Sequence, residues 1–306
     1  MEGITDTVLM IRPKHFGSNP DTIEDNKFQD RVEESDKKTV SEKAIIEFDN
    51  MVAELRRHDI NVIVIEDSDS PVKPDAVFPN NWITSHNNGS LVTYPMMAKS
   101  RQKERREDIV DMLTEKYNYK KRYGFEYHEA NDIYLEGTGS MVFDRGNKVV
   151  YACLSSRTNI KVLEKFAVLF NYTKVVFNAT DRNNNPIYHT NVMMAMASDH
   201  VVICLESIRD DDEKNEVIRN LKAGNKEIID ITIEQMEQYA GNMLAIKSQL
   251  GIPYMVMSNA AYNSLSAEQI DKLGNYSTLI HIPISIIEQY GGGSVRCMLM
   301  EVFEPV

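Results

Sequence analysis

Cysteine and tryptophan are scarce in this sequence, which has three and one respectively among 306 residues, and basic residues are outnumbered by acidic ones. Three cysteines without metal-ligand spacing give neither a disulfide framework nor a zinc site, so a reducing cytoplasm is the expected home. The formal net charge of -12 and pI near 5.1 argue against nucleic-acid binding, because phosphate recognition needs a basic face. One basic run, KSRQKERR at 99–106, gives way at once to Glu107, Asp108 and a helical apolar pattern, and is expected to be a solvated helix start. No apolar run approaches the roughly 20 residues that a membrane helix needs. MEGITDTVLMIRP has neither the basic nor the apolar region of a secretory signal, and no membrane partner is expected. No linker rich in Pro, Gly or Ser divides the chain. With 42% hydrophobic and 26% charged residues, 1–306 is expected to form a single domain.

What is present is a recurring order of apolar strands and single amphipathic helices. A strand at 8–11 leads into a polar loop. Ala44, Ile45, Phe48, Met51, Val52 and Leu55 then recur at helical spacing. Thr39 with Glu42 makes a capping-box pattern, which predicts a helix over 40–58, followed by a strand at 61–65. Next come a strand at 91–94, a helix at 104–117, and a hairpin of 140–143 with 149–154 across Asp144-Arg145-Gly146-Asn147. Val162, Leu163, Phe166, Leu169 and Phe170 define another helix before a strand at 175–177. Strands at 192–197 and 200–205, a helix at 211–222, a strand at 228–231 and a helix at 233–240 follow. The remainder reads as strands at 243–247 and 253–257, a capped helix at 266–273, and strands at 279–282 and 297–303. Strands outnumber helices by roughly two to one, and helices arrive singly about every fifty residues, which predicts a supersecondary unit repeated around the chain.

Four stretches break this grammar. GGGSVRCMLMEVF at 291–303 has three glycines that let a backbone approach a ligand or swing, then Arg296 and Cys297 at the start of a strand-like run. A thiolate is the reactive form of cysteine, and a neighbouring cation favours it, although a free cysteine is commonly a small buried hydrophobe. PDAVFPNNWITSH at 74–86 holds the tryptophan, two asparagines and a histidine. In YLEGTGSMVFD, Glu136 precedes Gly137 and Gly139, and in YHTNVMMAMA, His189 and Asn191 would share one face of an extended strand. Judged singly, each polar residue has a structural reading: a solvated carboxylate, a satisfied histidine, turn asparagines. Judged together, Cys297, His189 and Glu136 supply a thiol, a base and a carboxylate to orient the base, the set that covalent catalysis requires. Cys153 and Cys204 lie in apolar strand patterns and are expected to be buried structural residues. His15, His58, His128, His200 and His281 lack metal-ligand spacing and are expected at the surface or in loops. His86 and Asp144 are expected in turns, and the sixteen methionines in the core.

In this order the motifs resemble those of the guanidine-modifying enzymes, which include arginine deiminases, dimethylarginine dimethylaminohydrolases and amidinotransferases. GGGSVRCMLMEVF resembles their terminal cysteine motif, LEGTGS their Leu-Glu-Gly-Gly-Asp stretch, YHTNV their His-x-Asp segment and CLSSRTN their Ser-x-Arg-Thr segment. The N-terminal MIRPKHFGSNPDTIEDNKFQ is similar to an amidinotransferase-like branch linked to citrulline utilisation. The resemblance implies an α/β fold, a five-bladed pseudo-fivefold propeller (pentein) with its active site in the central channel. It also implies a small amino-acid substrate and no cofactor, and it leaves homo-oligomerisation open. Carried across by position, Cys297 would be the nucleophile, His189 the general acid and base, and Glu136 its partner. Arg157 matches an arginine that grips the substrate α-carboxylate, as a bidentate guanidinium can. Phe78 and Asn81 fall on the relatives' Phe-x-x-Asp, and Asn191 on the aspartate of His-x-Asp. Asp75, just before FPNNW, is a candidate contact for the α-ammonium.

Asparagine at both 81 and 191 speaks about substrate. In arginine-processing relatives those aspartates grip a guanidinium, and hydrogen bonds to charged groups contribute about 1.5–3 kcal/mol against about 1 for neutral pairs. Neutral amides would weaken that grip, whereas a ureido group, with N–H donors and a carbonyl acceptor, can be answered by the carbonyl and N–H₂ of asparagine. Hydrolysis of citrulline to ornithine, ammonia and carbon dioxide is the expectation. An amidinotransferase, an arginine deiminase or dihydrolase, and a propeller that only binds remain as alternatives.

Overall fold

The computed structural model describes residues 3–306, with every side chain there except that of Glu34. Two short apolar strands close as a hairpin. Because a third, parallel strand cannot be reached by a tight turn, the chain crosses back through a helix to lay it alongside. Five three-stranded sheets result. Strands β1 (Thr7–Arg12) and β2 (Asn61–Glu66) belong to the first. The second comprises β3 (Ile83–His86), β4 (Ser90–Thr93) and β5 (Lys121–Gly124). β6 (Val142–Asp144), β7 (Val149–Cys153) and β8 (Thr173–Phe177) make the third. The fourth holds β9 (Met194–Met196), β10 (His200–Ile203) and β11 (Glu227–Asp230), and the fifth β12 (Leu244–Lys247), β13 (Pro253–Ser258) and β14 (Thr278–Ile282). β15 (Met300–Glu301) then returns to the first sheet, antiparallel to β1 with Leu9 opposite Met300. In every sheet the middle strand has one antiparallel and one parallel neighbour, and the parallel one is reached through a helix. This is the pseudo-fivefold α/β propeller, with one repeat per blade.

The crossover helices bury the stripes that their periodicity defines. Lys37–Arg57 buries Val40, Ala44, Phe48, Met51, Val52 and Leu55, and Ile160–Phe170 buries Val162, Leu163, Phe166, Ala167 and Phe170. Asn159 caps the latter through Lys161 N, and Thr232 and Ser266 form capping boxes with Gln235 and Gln269. At the first helix the expectation fails. A 3₁₀ turn, Glu34–Asp36, runs directly into it, so Thr39 and Glu42 lie inside the helix rather than at its cap.

Strands do not outnumber helices two to one: fifteen strands stand against eleven α-helices among the described residues. The excess came from polar motifs with period-two spacing that fold as tight turns. His189 and Asn191 do not lie on a strand; Thr190–Val192 is a 3₁₀ turn in which Val192 N donates to His189 O at 3.2 Å. The 297–303 run likewise divides into a helical turn, Val295–Met298, and the two residues of β15. His86 is a buried strand residue stacked on Phe170 at 4.5 Å, not a turn residue, and His200 is buried against Tyr276 at 4.6 Å. His128 is buried as well, whereas Cys153 and Cys204 are buried as expected. No helix among the described residues is long and apolar enough to cross a membrane.

Three side-chain bonds fasten the closing segment. Thr5 Oγ1 donates to Val302 O at 2.5 Å, Ser85 Oγ to Glu301 O at 2.9 Å, and Tyr119 OH to Phe303 O. Tyr119→Phe leaves that buried carbonyl without its partner and should lower stability by about 1–3 kcal/mol in urea denaturation. Unchanged stability would show that ring closure does not draw on this bond.

Candidate active site

A short turn precedes the first strand of each blade, and all five turns meet at one end of the central channel. Pro79–Asn81 precedes β3, Gly137–Ser140 precedes β6, Thr190–Val192 precedes β9, a turn ending at Asn242 precedes β12, and Val295–Met298 precedes β15. From them come Asn81, Glu136, His189 with Asn191, Asn242 and Cys297, all buried. Close approach of the turns demands glycine at two positions. Gly137 has φ +46°, and a Cβ there would lie 2.4 Å from Asn80 O; a Cβ on Gly139 would lie 2.3 Å from Asn81 Nδ2 and 2.8 Å from His189 Nδ1.

Glu136 Oε2 and His189 Nε2 are 2.7 Å apart, and Met97 N donates to Glu136 Oε1 at 2.9 Å. Arg157 Nη1 lies 3.6 Å from the same carboxylate. Burial alone would raise the Glu136 pKa, but Arg157, the His189 bond and Arg101 outweigh it and hold the carboxyl at about 2. Burial lowers the pKa of His189 against the opposing pull of Glu136, so the imidazole is neutral at neutral pH. With Nε2–H donated to the carboxylate, Nδ1 is left as the ring nitrogen for proton exchange.

The sequence reading missed Arg101. The basic run that was expected to be solvated carries this arginine, 3% exposed, into the site. Its fork meets Glu104 at 2.9 and 3.0 Å, Nη2 donates to Phe78 O at 3.1 Å, and Nη1 donates to Asn81 Oδ1 at 2.8 Å. A guanidinium has donors only, so the Asn81 atom facing it is the oxygen, and Nδ2 packs against Gly139, as the ring of His189 also does. That Nδ2 is buried without a partner.

At Cys297 the neighbour in sequence is not the neighbour in space. Arg296 points away, to Leu299 O at 2.8 Å and Glu301 Oε2 at 2.7 Å. The Cys297 Sγ instead faces Asn242 Nδ2 at 3.3 Å and Asn191 Nδ2 at 3.5 Å. Asn242 carried no expectation, falling between the helix expected at 233–240 and the strand at 243–247. Its signal in the sequence is a polar residue after Gly241, between a helix and an apolar strand.

Cys297, His189, Asn81, Phe78, Asp75, Arg101 and Arg157 line one small cavity of about 20 Å³, room for about one water. Asn191 and Glu136 stand behind this lining. Residues 19–30 roof it. Asn26 Nδ2 donates to Gly292 O at 3.2 Å, Gln29 Nε2 to Tyr290 O at 2.9 Å, and Arg157 is held by Asp25, with Nε 2.8 Å from Oδ2. Arg157 therefore grips a carboxylate of the chain itself, where the resemblance implies the α-carboxylate of a substrate. Asp75 accepts from Asn19 Nδ2 at 2.7 Å, and burial raises its pKa. Admitting an amino acid requires the roof to move. A larger groove of about 820 Å³ outside the roof contains none of these residues.

A thiol, an imidazole–carboxylate pair and two buried arginines at the axis of a five-bladed α/β propeller define the guanidine-modifying pentein class. Residues 12–304 match the family described as N,N dimethylarginine dimethylhydrolase, eukaryotic, and the chain belongs to it. The fold is similar to that of ArgZ, an arginine dihydrolase from the ornithine-ammonia cycle in cyanobacteria, at 17% identity and a TM-score of 0.74, over 98% of this chain and 41% of that one. It is also similar to AgrE, solved with ornithine and NAD+, at 18% identity and a TM-score of 0.74, over 98% of this chain and 39% of that one. A dimethylarginine dimethylaminohydrolase variant, solved as an adduct with S-methyl-L-thiocitrulline, matches at 15% identity and a TM-score of 0.65, over 97% of this chain and 99% of that one. The chain thus spans about two fifths of ArgZ and AgrE, but 98% of the N-terminal domain of ArgZ solved alone. Curated protein sequences gave no match.

Gly139→Ala places a methyl group between Asn81 and His189 and should lower kcat by about 100-fold or more through misplacement of the ring; near-normal turnover would show that the two side chains have room to separate. Glu136 also links stability to pH. Because its folded pKa is depressed to about 2 from the ordinary 4.5, its contribution is present above pH 4.5 and is lost as pH falls toward 2. Glu136→Gln should flatten that part of the acid-unfolding curve, and an unchanged curve would contradict the assignment.

Proposed function

We propose that the protein is a cysteine hydrolase that cleaves the ureido group of citrulline. The observation that carries this reading is the orientation of Asn81. Arg101 fixes its oxygen, so it offers an N–H donor beside His189. A ureido carbonyl accepts such a bond, whereas a guanidinium has no acceptor to offer. The unpartnered Oδ1 atoms of Asn191 and Asn242 add neutral acceptors behind the sulfur, in place of a carboxylate.

In this mechanism the proton of the Cys297 thiol passes to His189 as Sγ attacks the ureido carbon, and the charge that develops on the carbonyl oxygen is met by Asn81 Nδ2–H. The bond from that carbon to the side-chain nitrogen breaks as His189 delivers a proton to the nitrogen, releasing ornithine and leaving a carbamoyl thioester on Cys297. Water, deprotonated by His189, attacks the thioester, and the departing sulfur takes that proton back, which restores the thiol and the neutral imidazole. The carbamic acid so released decomposes to ammonia and carbon dioxide. Glu136 holds the imidazole in the required tautomer throughout. The substrate α-carboxylate replaces Asp25 on Arg157 when the roof opens, and Asp75 lies within the same cavity to receive the α-ammonium. Phe78, which packs so closely that a Cβ on Gly291 would lie 2.7 Å from its ring, forms an apolar wall for the methylene chain.

The likeness to ArgZ favours a second reading, arginine dihydrolysis with the same residues. Ammonia release from L-citrulline and L-arginine, measured side by side, separates the two. Turnover of citrulline is expected, reduced by about 10⁴-fold in Cys297→Ser. Asn81→Asp, which replaces the N–H by an acceptor, should lower kcat/KM for citrulline by about 10–100-fold. Faster turnover of arginine than of citrulline by the native protein would sink the ureido reading and leave the dihydrolase one.

A further inference from the structure

We propose that Asn242, together with Asn191, holds the negative charge of the Cys297 thiolate, so that the protein itself, rather than a cationic substrate, keeps the nucleophile ready. This rests on Cys297 being the nucleophile, though not on citrulline being the substrate.

Every cation near the sulfur is engaged elsewhere. Arg296 is held by Leu299 O and Glu301, Arg157 by Asp25 and Glu136, and Arg101 by Glu104, Phe78 O and Asn81. The imidazole Nε2 of His189 is bonded to Glu136. Charged and titratable groups lining the same cavity are Asp75, Arg101, Arg157, Tyr188 and His189, and none of them has a hydrogen bond to Sγ among the described residues. What faces the sulfur is a pair of amide N–H groups, at 3.3 Å from Asn242 and 3.5 Å from Asn191.

The amide of Asn242 cannot turn over. Its Nδ2 also donates to Asn191 O at 2.8 Å, so the nitrogen edge is fixed toward both that carbonyl and the sulfur. The backbone of the turn is equally constrained. Tyr239 has φ +64°, Asn242 N donates to Tyr239 O at 2.8 Å, and Gly241 packs where a Cβ would lie 2.3 Å from Val192 O. Its Oδ1 meanwhile is buried with no partner. A residue serving only to fill the turn would not leave a buried carbonyl unpaired, since that is destabilising; the arrangement makes sense if the nitrogen edge is what the site needs. The chemistry agrees. A guanidinium brings a positive charge that draws the sulfur into its anionic form, whereas a neutral ureido group brings none, and the donors then have to be built into the protein. Asn242 acts through the sulfur, and so is a positioning residue.

The test is the rate of alkylation of Cys297 by iodoacetamide as a function of pH, without substrate, read by mass spectrometry of its peptide in the native protein, Asn242→Ala, Asn242→Ser and Asn242→Asp. Cys153 and Cys204, buried and with pKa values pushed up to about 12, serve as unreactive references. The expected result is a rate at pH 7 lowered about tenfold in the alanine variant. The rising limb should move to higher pH, and furthest for aspartate, whose carboxylate repels the thiolate. Turnover should fall by about 100-fold or more with KM little changed. A curve that superimposes on the native one in any variant that retains the native circular dichroism and melting transition overturns the proposal, even if turnover is lost, because a purely structural role would spare the pH profile. Since alkylation needs no substrate, failure of citrulline turnover in the native protein would remove the substrate assignment without touching this result.

Discussion

The chemistry of this site depends on how a buried guanidinium is neutralised. Arg101 carries five donors into a channel end that water barely reaches, and leaving them unmet would be costly. Glu104 takes the fork, Phe78 gives a backbone carbonyl, and Asn81 gives its side-chain oxygen. Burial pushes the Glu104 carboxyl up to about 7 against the pull of Arg101. Because the arginine has no acceptor, this arrangement also dictates what Asn81 shows to the reaction centre. An aspartate in its place would satisfy Arg101 equally well but present an oxygen. The edge that Asn81 turns away from Arg101 is thus set by a charge pair behind it.

Pseudo-symmetry supplies the frame for that pair. The five sheets differ little in plan, and the turns before their first strands are brought together by the ring itself. The chemistry of each turn is then free to differ: an amide, a carboxylate, an imidazole with an amide, a further amide and a thiol. Loops leaving the middle strands form a second tier, which carries Arg101, Arg157 and the roof at 19–30. Reaction centre and substrate clamp are therefore built from different parts of the same repeated unit.

Much of this was legible in the sequence, for identifiable reasons. Buried stripes at helical spacing fixed the crossover helices, and the recurrence of strand, helix and strand pointed to a repeated unit, whose five-bladed plan came from the resemblance of the motifs. Cys297, His189, Glu136, Asn81 and Asn191 stood out because polar residues interrupt apolar strand patterns there, Arg157 through the resemblance of its motif, and the structure gathers them at one end of the channel. Local conformation was less legible. A polar pair at i and i+2 suits one face of a strand and a tight 3₁₀ turn alike, and only the main-chain bond from Val192 to His189 decides between them. Arg101 was hidden among exposed basic residues, since a charged run gives no sign of which member turns inward. Asn242 was hidden for the opposite reason, as an asparagine after glycine is the ordinary composition of a turn. The partner of the cysteine was misjudged because adjacency along the chain placed Arg296 beside it, while the helical turn sends that guanidinium to Glu301.

The strand that closes the ring lies just beyond the turn that carries the sulfur. A ribosome-bound chain that has not yet reached this segment can already own the imidazole, the carboxylate, both arginines and all three amides, yet it lacks Cys297 and has an open first blade. Closure of the ring and delivery of Cys297 to the channel end are therefore one event.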